Sequence, residues 1–182
     1  MAFSKIIAES MDLTDTYAFT GTVTGAGGIT ESDNWRITSA QSISSATDTV
    51  VNSSWERNDV NFEKIGTGLT ESSGVFSFPS TGKYLITANL TLYRSGDTRY
   101  AVCKIMTTIN NSSFNEASYN YAHIKQISSA TYESIATQTI FDVTDTTNCK
   151  FRINAQADEA ITVGGDTNTT YTGFTCIKLG ET

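Results

Sequence analysis

The residues with the most obvious chemical potential are a single histidine and three cysteines. His123 lies in a tyrosine-rich run, and Cys103, Cys149 and Cys176 are far apart in the sequence. With one histidine, most catalytic triads and metal hydrolases would lack their base or their ligands. The sequence has no Cys-x-x-Cys pair or Cys/His cluster, so we expect buried, reduced thiols in strands. We expect His123 to be a surface or interface residue of a strand.

Carboxylates are the remaining candidates for catalysis. A glycosidase needs only two acids at the right separation. Nothing in the spacing selects a pair from the candidates, which are Glu56, Asp59, Asp97, Glu116, Asp158 and Glu159. The sequence contains no phosphate-binding glycine loop, nucleophile elbow or dinucleotide-binding glycine motif. We therefore predict that the chain is not an enzyme, and we keep a carbohydrate-active enzyme as an alternative.

Two polar, acidic segments are candidates for calcium, which prefers oxygen ligands. One is residues 142–148, and the other combines Asp158 and Glu159 with residues 164–166. Neither has the fixed ligand spacing of a calcium loop. Solvated turns between strands explain both segments equally well, so we predict no metal or other cofactor and leave calcium open.

Five tyrosines stand in polar segments of the sequence. A tyrosine ring can stack on the face of a sugar while its hydroxyl forms a hydrogen bond, so contact with a glycan is one interpretation. Packing at a sheet edge or between subunits is the other. The five residues are Tyr93, Tyr100, Tyr119, Tyr121 and Tyr132.

Composition limits the class of protein further. The 182 residues can form one domain with a hydrophobic core that needs no disulfide or metal. A charged fraction of 17% and abundant Ser, Thr, Asn and Gly favour short strands joined by polar turns over helices. The net charge of −7 and the scattered basic residues argue against nucleic acid as a partner. We expect no membrane insertion and folding in a cytoplasm, because the sequence shows neither a membrane span nor a secretory signal.

The only proline marks the most sharply specified backbone in the chain. Pro79 fixes φ and donates no hydrogen bond, and Gly82 allows a positive φ, so together they predict a corner between two strands. After the corner, apolar and polar residues alternate along residues 83–92, which is typical of a half-buried antiparallel strand.

Ten segments of the sequence read as strands. Gly96 and Asp97 predict a hairpin between two of them, and residues 142–148 predict a polar turn between two others. Together the segments predict an all-β, two-sheet antiparallel jelly-roll sandwich. The segments are residues 35–38, 50–55, 62–65, 75–78, 83–93, 99–109, 119–127, 132–143, 149–155 and 171–179.

Two motifs carry a family resemblance. The first consists of Gly74, Phe76, Pro79, Gly82, Tyr84 and Ile86. The second is residues 171–177, which include Gly173 and Phe174. Their spacing and order resemble those of the globular head of complement's first component, which belongs to the tumour-necrosis-factor-like family. The resemblance covers about residues 55–180, and residues 97–139 show no family pattern, so no partner-binding residue can be transferred.

This resemblance implies a jelly roll that forms a homotrimer, packed about a threefold axis through one sheet. Members of the family act mostly by binding through exposed loops or grooves and not by catalysis. The animal members follow collagen or membrane anchors, whereas this sequence begins with a different kind of segment.

The first 28 residues form a separate segment that ends in a Gly-rich linker. In this segment, Ser-Lys-Ile-Ile-Ala-Glu-Ser-Met-Asp-Leu at residues 4–13 is followed by Phe-Thr-Gly-Thr-Val-Thr-Gly-Ala-Gly at residues 19–27. The two stretches resemble the recurrent start of virion proteins of marine bacteriophages, and we predict that the segment anchors residues 29–182, the jelly roll, to a capsid or tail protein. An ordinary first strand on the domain is the other interpretation. The apolar residues that would make the anchoring contact are Ile6, Ile7, Leu13, Tyr17 and Phe19.

The hypothesis from sequence is a trimeric bacteriophage virion protein. We expect a capsid decoration or short head fibre that displays the jelly roll on the virion surface after synthesis in the host cytoplasm. The alternative is a tail fibre or receptor-binding tip that recognises a host-surface glycan.

Overall fold

The computed structural model describes residues 28–127 and 129–182, and in this part the chain folds as thirteen strands without a helix. The prediction of an all-β, two-sheet antiparallel sandwich is confirmed. In chain order the strands are β1 (Ser32–Ile37), β2 (Gln41–Ile43), β3 (Thr49–Val50), β4 (Trp55–Arg57), β5 (Thr70–Ser72), β6 (Val75–Ser77), β7 (Gly82–Arg94), β8 (Thr98–Thr108), β9 (Asn115–Ile124), β10 (Thr131–Val143), β11 (Lys150–Ala157), β12 (Ile161–Val163) and β13 (Gly173–Gly180).

Strand β7 organises the larger, seven-stranded sheet. It pairs along its whole length with β10, and on its other side it pairs with β13 and then with β12. Strand β13 continues to β1 and β4, and β12 continues to β2. The six-stranded sheet has the order β5-β6-β11-β8-β9, with β3 also on β11. All these pairings are antiparallel. Consecutive strands often lie in different sheets, as β6 and β7 do, and β7 and β8.

The alternation predicted for β7 is confirmed. Tyr84, Ile86, Ala88, Leu90 and Leu92 are buried between the sheets. The residues between them point to the outer face, because successive side chains of a strand lie on opposite sides of a sheet. One face of β7 therefore belongs to the core, and the other face remains available for contact outside the domain.

Aromatic rings fill the centre of the sandwich. Phe76 from β6 lies with its ring centroid 4.6 Å from Phe174, 5.2 Å from Phe151 and 5.4 Å from Trp35. Most of these pairs are edge-to-face, the arrangement favoured by the ring quadrupoles. These contacts join both sheets into one hydrophobic core.

Three ion pairs connect two buried residues of β1, Arg36 and Asp33, to the segment around β4. Arg36 is 1% exposed, and its guanidinium donates to Glu56 at 2.7 Å and to Asp59 at 2.6 Å. Burial alone would lower the pKa of Arg36, but the two carboxylates outweigh it and raise that pKa. On the other face of the strand, the buried Asp33 accepts two hydrogen bonds from Arg57, at 2.8 and 3.0 Å. In each case an opposite charge compensates the buried residue of β1 for its loss of water.

The predicted hairpin at Gly96 and Asp97 is wrong. Gly96 does adopt a positive φ of 137°, but β7 lies in the seven-stranded sheet and β8 in the six-stranded sheet. The corner around Pro79 likewise joins β6 of one sheet to β7 of the other. Both turns therefore move the chain from one sheet of the sandwich to the other.

Two of the predicted strands also need correction. Residues 62–65 do not form a strand, and only Ile65 makes an isolated bridge to Ser32. Residues 50–55 do not form one strand, because Ser54 adopts a positive φ of 51° between β3 and β4. Strands β2, β5 and β12 were not predicted. Each has three residues, too few for a period of two to be recognised.

Candidate functional site

The residues of the first motif shape the corner and the hairpin before it. Gly74 has a φ of 80° and follows Ser73 with a φ of 54°, so the two form the loop between β5 and β6. Such two-residue loops need a positive φ at both positions. Gly82 has a φ of 143°, which confirms the positive φ predicted for it. Phe76 is fully buried, Tyr84 is 1% exposed, and Pro79 lies between β6 and β7.

The second motif serves the packing of β13 on β1. A Cβ atom added to Gly173 would lie 2.3 Å from the Trp35 carbonyl oxygen, so the two backbones approach too closely for a side chain. Phe174, the next residue, is 1% exposed and belongs to the aromatic core. The motif residues therefore have structural roles in the core and the turns.

The residues proposed for anchoring lie outside the described residues. The structure therefore describes the jelly roll from Gly28 onward, and the anchoring role remains a prediction. These residues are Ile6, Ile7, Leu13, Tyr17 and Phe19.

Over β10, β7 and β13, the outer face of the seven-stranded sheet carries no charge in five consecutive rows, and in these rows charge begins only beyond β13, at Arg36 of β1 and Glu56 of β4. We call this surface the uncharged face. On β7, Leu85 lies directly opposite Ile140 on one side and Ile177 on the other. At the far end Tyr93 lies opposite Tyr132, with ring centroids 5.1 Å apart. The remaining members of this face are Thr87, Asn89, Thr91, Ser134, Ala136, Gln138, Gly173 and Thr175.

Large apolar side chains on this face are open to solvent. Ile140 is 61% exposed, Tyr132 is 64% exposed and Leu179, beyond the end of the last row, is 54% exposed. At the tyrosine end, Tyr93, Tyr132 and Tyr171 line a groove of about 340 Å³ with Gly164 and Gly165. Charge depletion combined with exposed aromatic and aliphatic residues is typical of the core of a protein interface.

A second groove lies on the opposite side of the molecule, on the outer face of the six-stranded sheet. We call it the tyrosine groove. Tyr100, Tyr119 and Tyr121 line it, and its volume is about 370 Å³. In register, Val102 of β8 lies between Tyr121 of β9 and Gln156 of β11. The structure therefore divides the five predicted tyrosines into two groups on opposite sheets.

A buried lysine lies in the floor of the tyrosine groove. Lys104 is 8% exposed, and its ammonium group lies 2.6 Å from a Glu116 oxygen and 3.7 Å from an Asp48 oxygen. Burial alone would lower the pKa of Lys104, but the hydrogen bond to Glu116 and the charge of Asp48 outweigh this effect and raise it. Asn154 lies opposite Lys104 and is also buried, and its Oδ1 atom has no partner within the described residues.

Lys104 and Gln156 were not identified from the sequence as residues of this groove. Lys104 lies opposite Tyr119, and Gln156 lies across Val102 from Tyr121. Lys104 carried a signal, because it is a single charged residue within the otherwise apolar run of residues 101–106. Gln156 carried none, because its place in the groove depends on the pairing of β11 with β8.

The candidate catalytic acids do not form an isolated pair. Glu56 and Asp59 meet at Arg36. The others pair with different cations at separate places: Asp97 with Lys125, Glu116 with Lys104, Asp158 with Arg99, and Glu159 with Arg94. Each of these carboxylates therefore forms an ion pair. The absence of enzymatic activity remains a prediction.

The candidate calcium segments are closed by their own hydrogen bonds. Asp145 accepts from the Thr147 backbone at 2.7 Å and from the Asn148 side chain at 2.6 Å. Asp166 likewise accepts from the backbones of Asn168 and Thr169. Over residues 28–127 and 129–182, no group of three or more His, Cys, Asp or Glu side chains could hold a metal ion.

His123, Cys103 and Cys176 lie in strands, as expected, whereas Cys149 lies just before β11 and outside any strand. Cys103, Cys149 and Cys176 are free thiols buried in the sandwich. Burial raises the pKa of Cys103 to about 12, so its thiolate does not form near neutral pH. His123 is exposed on β9. In the described part of the chain, none of the four residues belongs to a group of side chains that could hold a metal ion.

The fold is similar to that of tumour-necrosis-factor family proteins. The crystal structure of murine APRIL at pH 5.0 matches with a TM-score of 0.58 and 12% identity, over 82% of this chain and 98% of that chain. The structure of Eiger TNF from S. frugiperda matches with a TM-score of 0.61 and 10% identity, over 83% and 93% of the two chains. These likenesses show a tumour-necrosis-factor-like jelly roll. No protein-family model and no curated protein sequence matches the chain.

Hydropathy adds one observation. In the residues that the structure describes, no helix is long and apolar enough to cross a membrane.

Proposed function

We propose that this chain is a trimeric structural protein of a bacteriophage virion, which displays a jelly-roll knob on a capsid as a decoration or short head fibre. The observation that carries the proposal is the uncharged face of the seven-stranded sheet. Across β10, β7 and β13 its rows from Leu85 to Tyr93 hold no charged residue, although the chain as a whole has 31 charged side chains. A surface this free of charge is stabilised when a second protein covers it.

A second copy of the same chain is the partner that we favour for this face. The family resemblance implies packing about a threefold axis through one sheet. A jelly roll that trimerises in this way keeps the outer face of its other sheet, with the tyrosine groove, open to solvent. The trimer would also present three N-terminal segments from one assembly.

The place on a virion is inferred from the resemblance of residues 1–28 to phage virion proteins, together with the fold. A jelly-roll knob suits a protein that projects from a particle and binds a partner through its surface. The alternative position is a tail-fibre or receptor-binding tip that recognises a host-surface glycan. A carbohydrate-active enzyme is the remaining alternative, and assays for glycan hydrolysis would reveal it.

Two experiments test the proposal. Light scattering of the purified chain should give a mass of about 59 kDa, three times the 19.7 kDa of one chain. A single species of about 20 kDa at micromolar concentration would contradict the trimer. Cryo-electron microscopy of intact particles should then show the knob on the capsid, and density on the tail would favour the alternative.

A further inference from the structure

The tyrosine groove on the six-stranded sheet combines stacking surfaces with unpaired hydrogen-bonding groups, and we propose that it binds a neutral saccharide. The site lies within one chain, since Tyr100, Tyr119, Tyr121, Lys104 and Gln156 all belong to the same sheet. The inference therefore does not require the trimer or the virion.

The three rings provide open stacking surfaces. The rings of Tyr119 and Tyr121 have centroids 5.3 Å apart at an angle of 85°, and those of Tyr100 and Tyr121 are 6.3 Å apart at 84°. In an edge-to-face pair, one ring offers only its edge and keeps its faces open. Tyr119 is 50% exposed and Tyr121 is 61% exposed. The apolar C–H face of a pyranose ring can cover such a surface, while its hydroxyl groups point to the sides.

Polar groups around these rings can form hydrogen bonds with the hydroxyl groups of a sugar. Glu116 uses Oε1 to accept from Lys104, and its Oε2 has no partner in the described part of the chain. The Gln156 amide and the hydroxyl groups of the three tyrosines likewise make no hydrogen bond to any described residue. A sugar hydroxyl group both donates and accepts hydrogen bonds, so it can bond to the carboxylate of Glu116, the amide of Gln156 or a tyrosine hydroxyl group. Lys104 holds Glu116 in place across the floor.

The charges of the groove select among saccharides. In the groove, Lys104 brings one positive charge and Glu116 one negative charge, and Asp48, which does not line the groove, adds a second negative charge 3.7 Å from the Lys104 ammonium group. The whole chain adds a net charge of −7. Both effects repel uronic and sialic acids, so a neutral sugar is the favoured occupant. A volume of about 370 Å³ falls within the usual range of small-molecule sites.

The test uses the full-length chain and four sugars as probes. Lactose, maltose and N,N′-diacetylchitobiose represent neutral saccharides, and 3′-sialyllactose represents acidic ones. Saturation-transfer NMR should show contact through the ring C–H protons of at least one neutral probe, with a millimolar Kd by calorimetry. Tyr119→Ala and Tyr121→Ala should each weaken this binding about tenfold, whereas Tyr119→Phe, which keeps the ring, should retain most of it.

Tyr132→Ala is the matched control, because Tyr132 is 64% exposed on the opposite sheet. It should leave sugar binding unchanged. The proposal is overturned if no neutral probe binds at about 10 mM, if Tyr121→Ala binds as well as the original protein, or if 3′-sialyllactose binds most tightly. Loss of binding in Tyr132→Ala alone would also overturn it, by moving the site to the other sheet. Light scattering on the same samples reports separately on the trimer.

Discussion

The Tyr84 hydroxyl group donates a 3.1 Å hydrogen bond to the carbonyl oxygen of Ser80, four residues earlier in the chain. The Ser80 hydroxyl lies 2.9 Å from the same phenol oxygen. This pair closes the corner on which the chain passes from β6 to β7. The ring centroids of Tyr84 and Phe78 are 4.7 Å apart, so the Tyr84 side chain contributes both to the corner and to the core.

Tyr84 allows these two contributions to be separated. Tyr84→Phe keeps the ring and removes the hydrogen bond, so it should lower the free energy of unfolding by about 0.5–1.5 kcal/mol. Tyr84→Ala also removes the buried ring and should lower it by about 3–5 kcal/mol. Urea denaturation at one fixed protein concentration measures both changes. Equal losses in the two variants would show that the ring contributes little to the core.

Gly82 should tolerate no side chain. A Cβ atom at this position would lie 2.6 Å from the Gly180 carbonyl oxygen, and the φ of 143° disfavours any L residue. We expect Gly82→Val to lower the free energy of unfolding by about 1–3 kcal/mol. Gly180→Val is the control, since a Cβ atom there meets nothing within 4 Å. Thermal unfolding of the two variants should differ clearly, and equal melting temperatures would contradict the strained corner.

The sequence predicted the strands of this fold better than their pairing. Strand β7 was predicted because apolar and polar residues alternate along residues 83–92 and its corner has distinctive backbone chemistry. The turn at Gly96 was located correctly, but its sheet-to-sheet passage was not foreseen. Turn residues specify that the chain reverses, whereas the choice of sheet depends on core contacts between distant strands. Strands of two or three residues, such as β3, carry no periodic signal.

For the candidate sites, the sequence identified the kinds of residue involved but not their positions relative to one another. Exposed tyrosines were recognised, yet only the register of β8 with β9 and β11 shows that Tyr121 and Gln156 lie on either side of Val102. The ion pair of Arg36 with Asp59 spans 23 residues and could not be read from local spacing. The uncharged face was also hidden, because it combines alternate residues of three separate strands.

The uncharged face should depend on its apolar end. Ile140→Asp places a charge opposite Leu85, and at 61% exposure it should not disturb the fold of one chain. If a second copy covers this face, the variant should shift the mass in light scattering from trimer toward monomer. Ile109→Asp makes the same change at a residue that is 71% exposed outside this face, and it should leave the trimer intact. A stable trimer in Ile140→Asp would remove this face from the interface.

Acid should destabilise the jelly roll through its turns. Hydrogen bonds from the Thr147 backbone and the Asn148 side chain lower the pKa of Asp145 below its ordinary value of 3.8. A folded pKa below the unfolded one means that this stabilisation is present above about pH 4 and is lost as the pH falls through the folded pKa. The melting temperature of Asp145→Asn should therefore fall less steeply between about pH 4 and pH 2 than that of the original protein.

The control for this turn is Asp142→Asn. Asp142 is exposed three residues earlier, and its side chain makes no hydrogen bond or ion pair in the described part of the chain. If Asp142→Asn changes the acid dependence of the melting temperature as much as Asp145→Asn does, the hydrogen bonds of the turn are not the cause. Parallel curves for Asp145→Asn and the original protein would show that the turn does not stabilise the charged carboxylate.

Deletion of residues 1–28 should separate anchoring from folding. The deletion ends before β1, which begins at Ser32, so all thirteen described strands remain and the protein should stay folded and trimeric. It should no longer join the particle, because it lacks five apolar side chains whose full burial would contribute about 1.5–3 kcal/mol each. Three segments on one trimer would bind at high effective concentration, so their loss should abolish attachment. These side chains are Ile6, Ile7, Leu13, Tyr17 and Phe19.

The measurement is co-sedimentation of full-length and truncated protein with phage particles that lack this protein. A variant with Ile6→Asp and Ile7→Asp in the full-length chain is the matched control, because it keeps the length of the segment and removes part of its apolar surface. It should attach more weakly than the original protein, since the two substitutions remove two of the five apolar contacts on each chain. If the truncated protein sediments with particles as well as the full-length protein, the jelly roll itself makes the docking contact. The outward display of the knob would then be wrong, and the uncharged face would become the candidate for the particle contact.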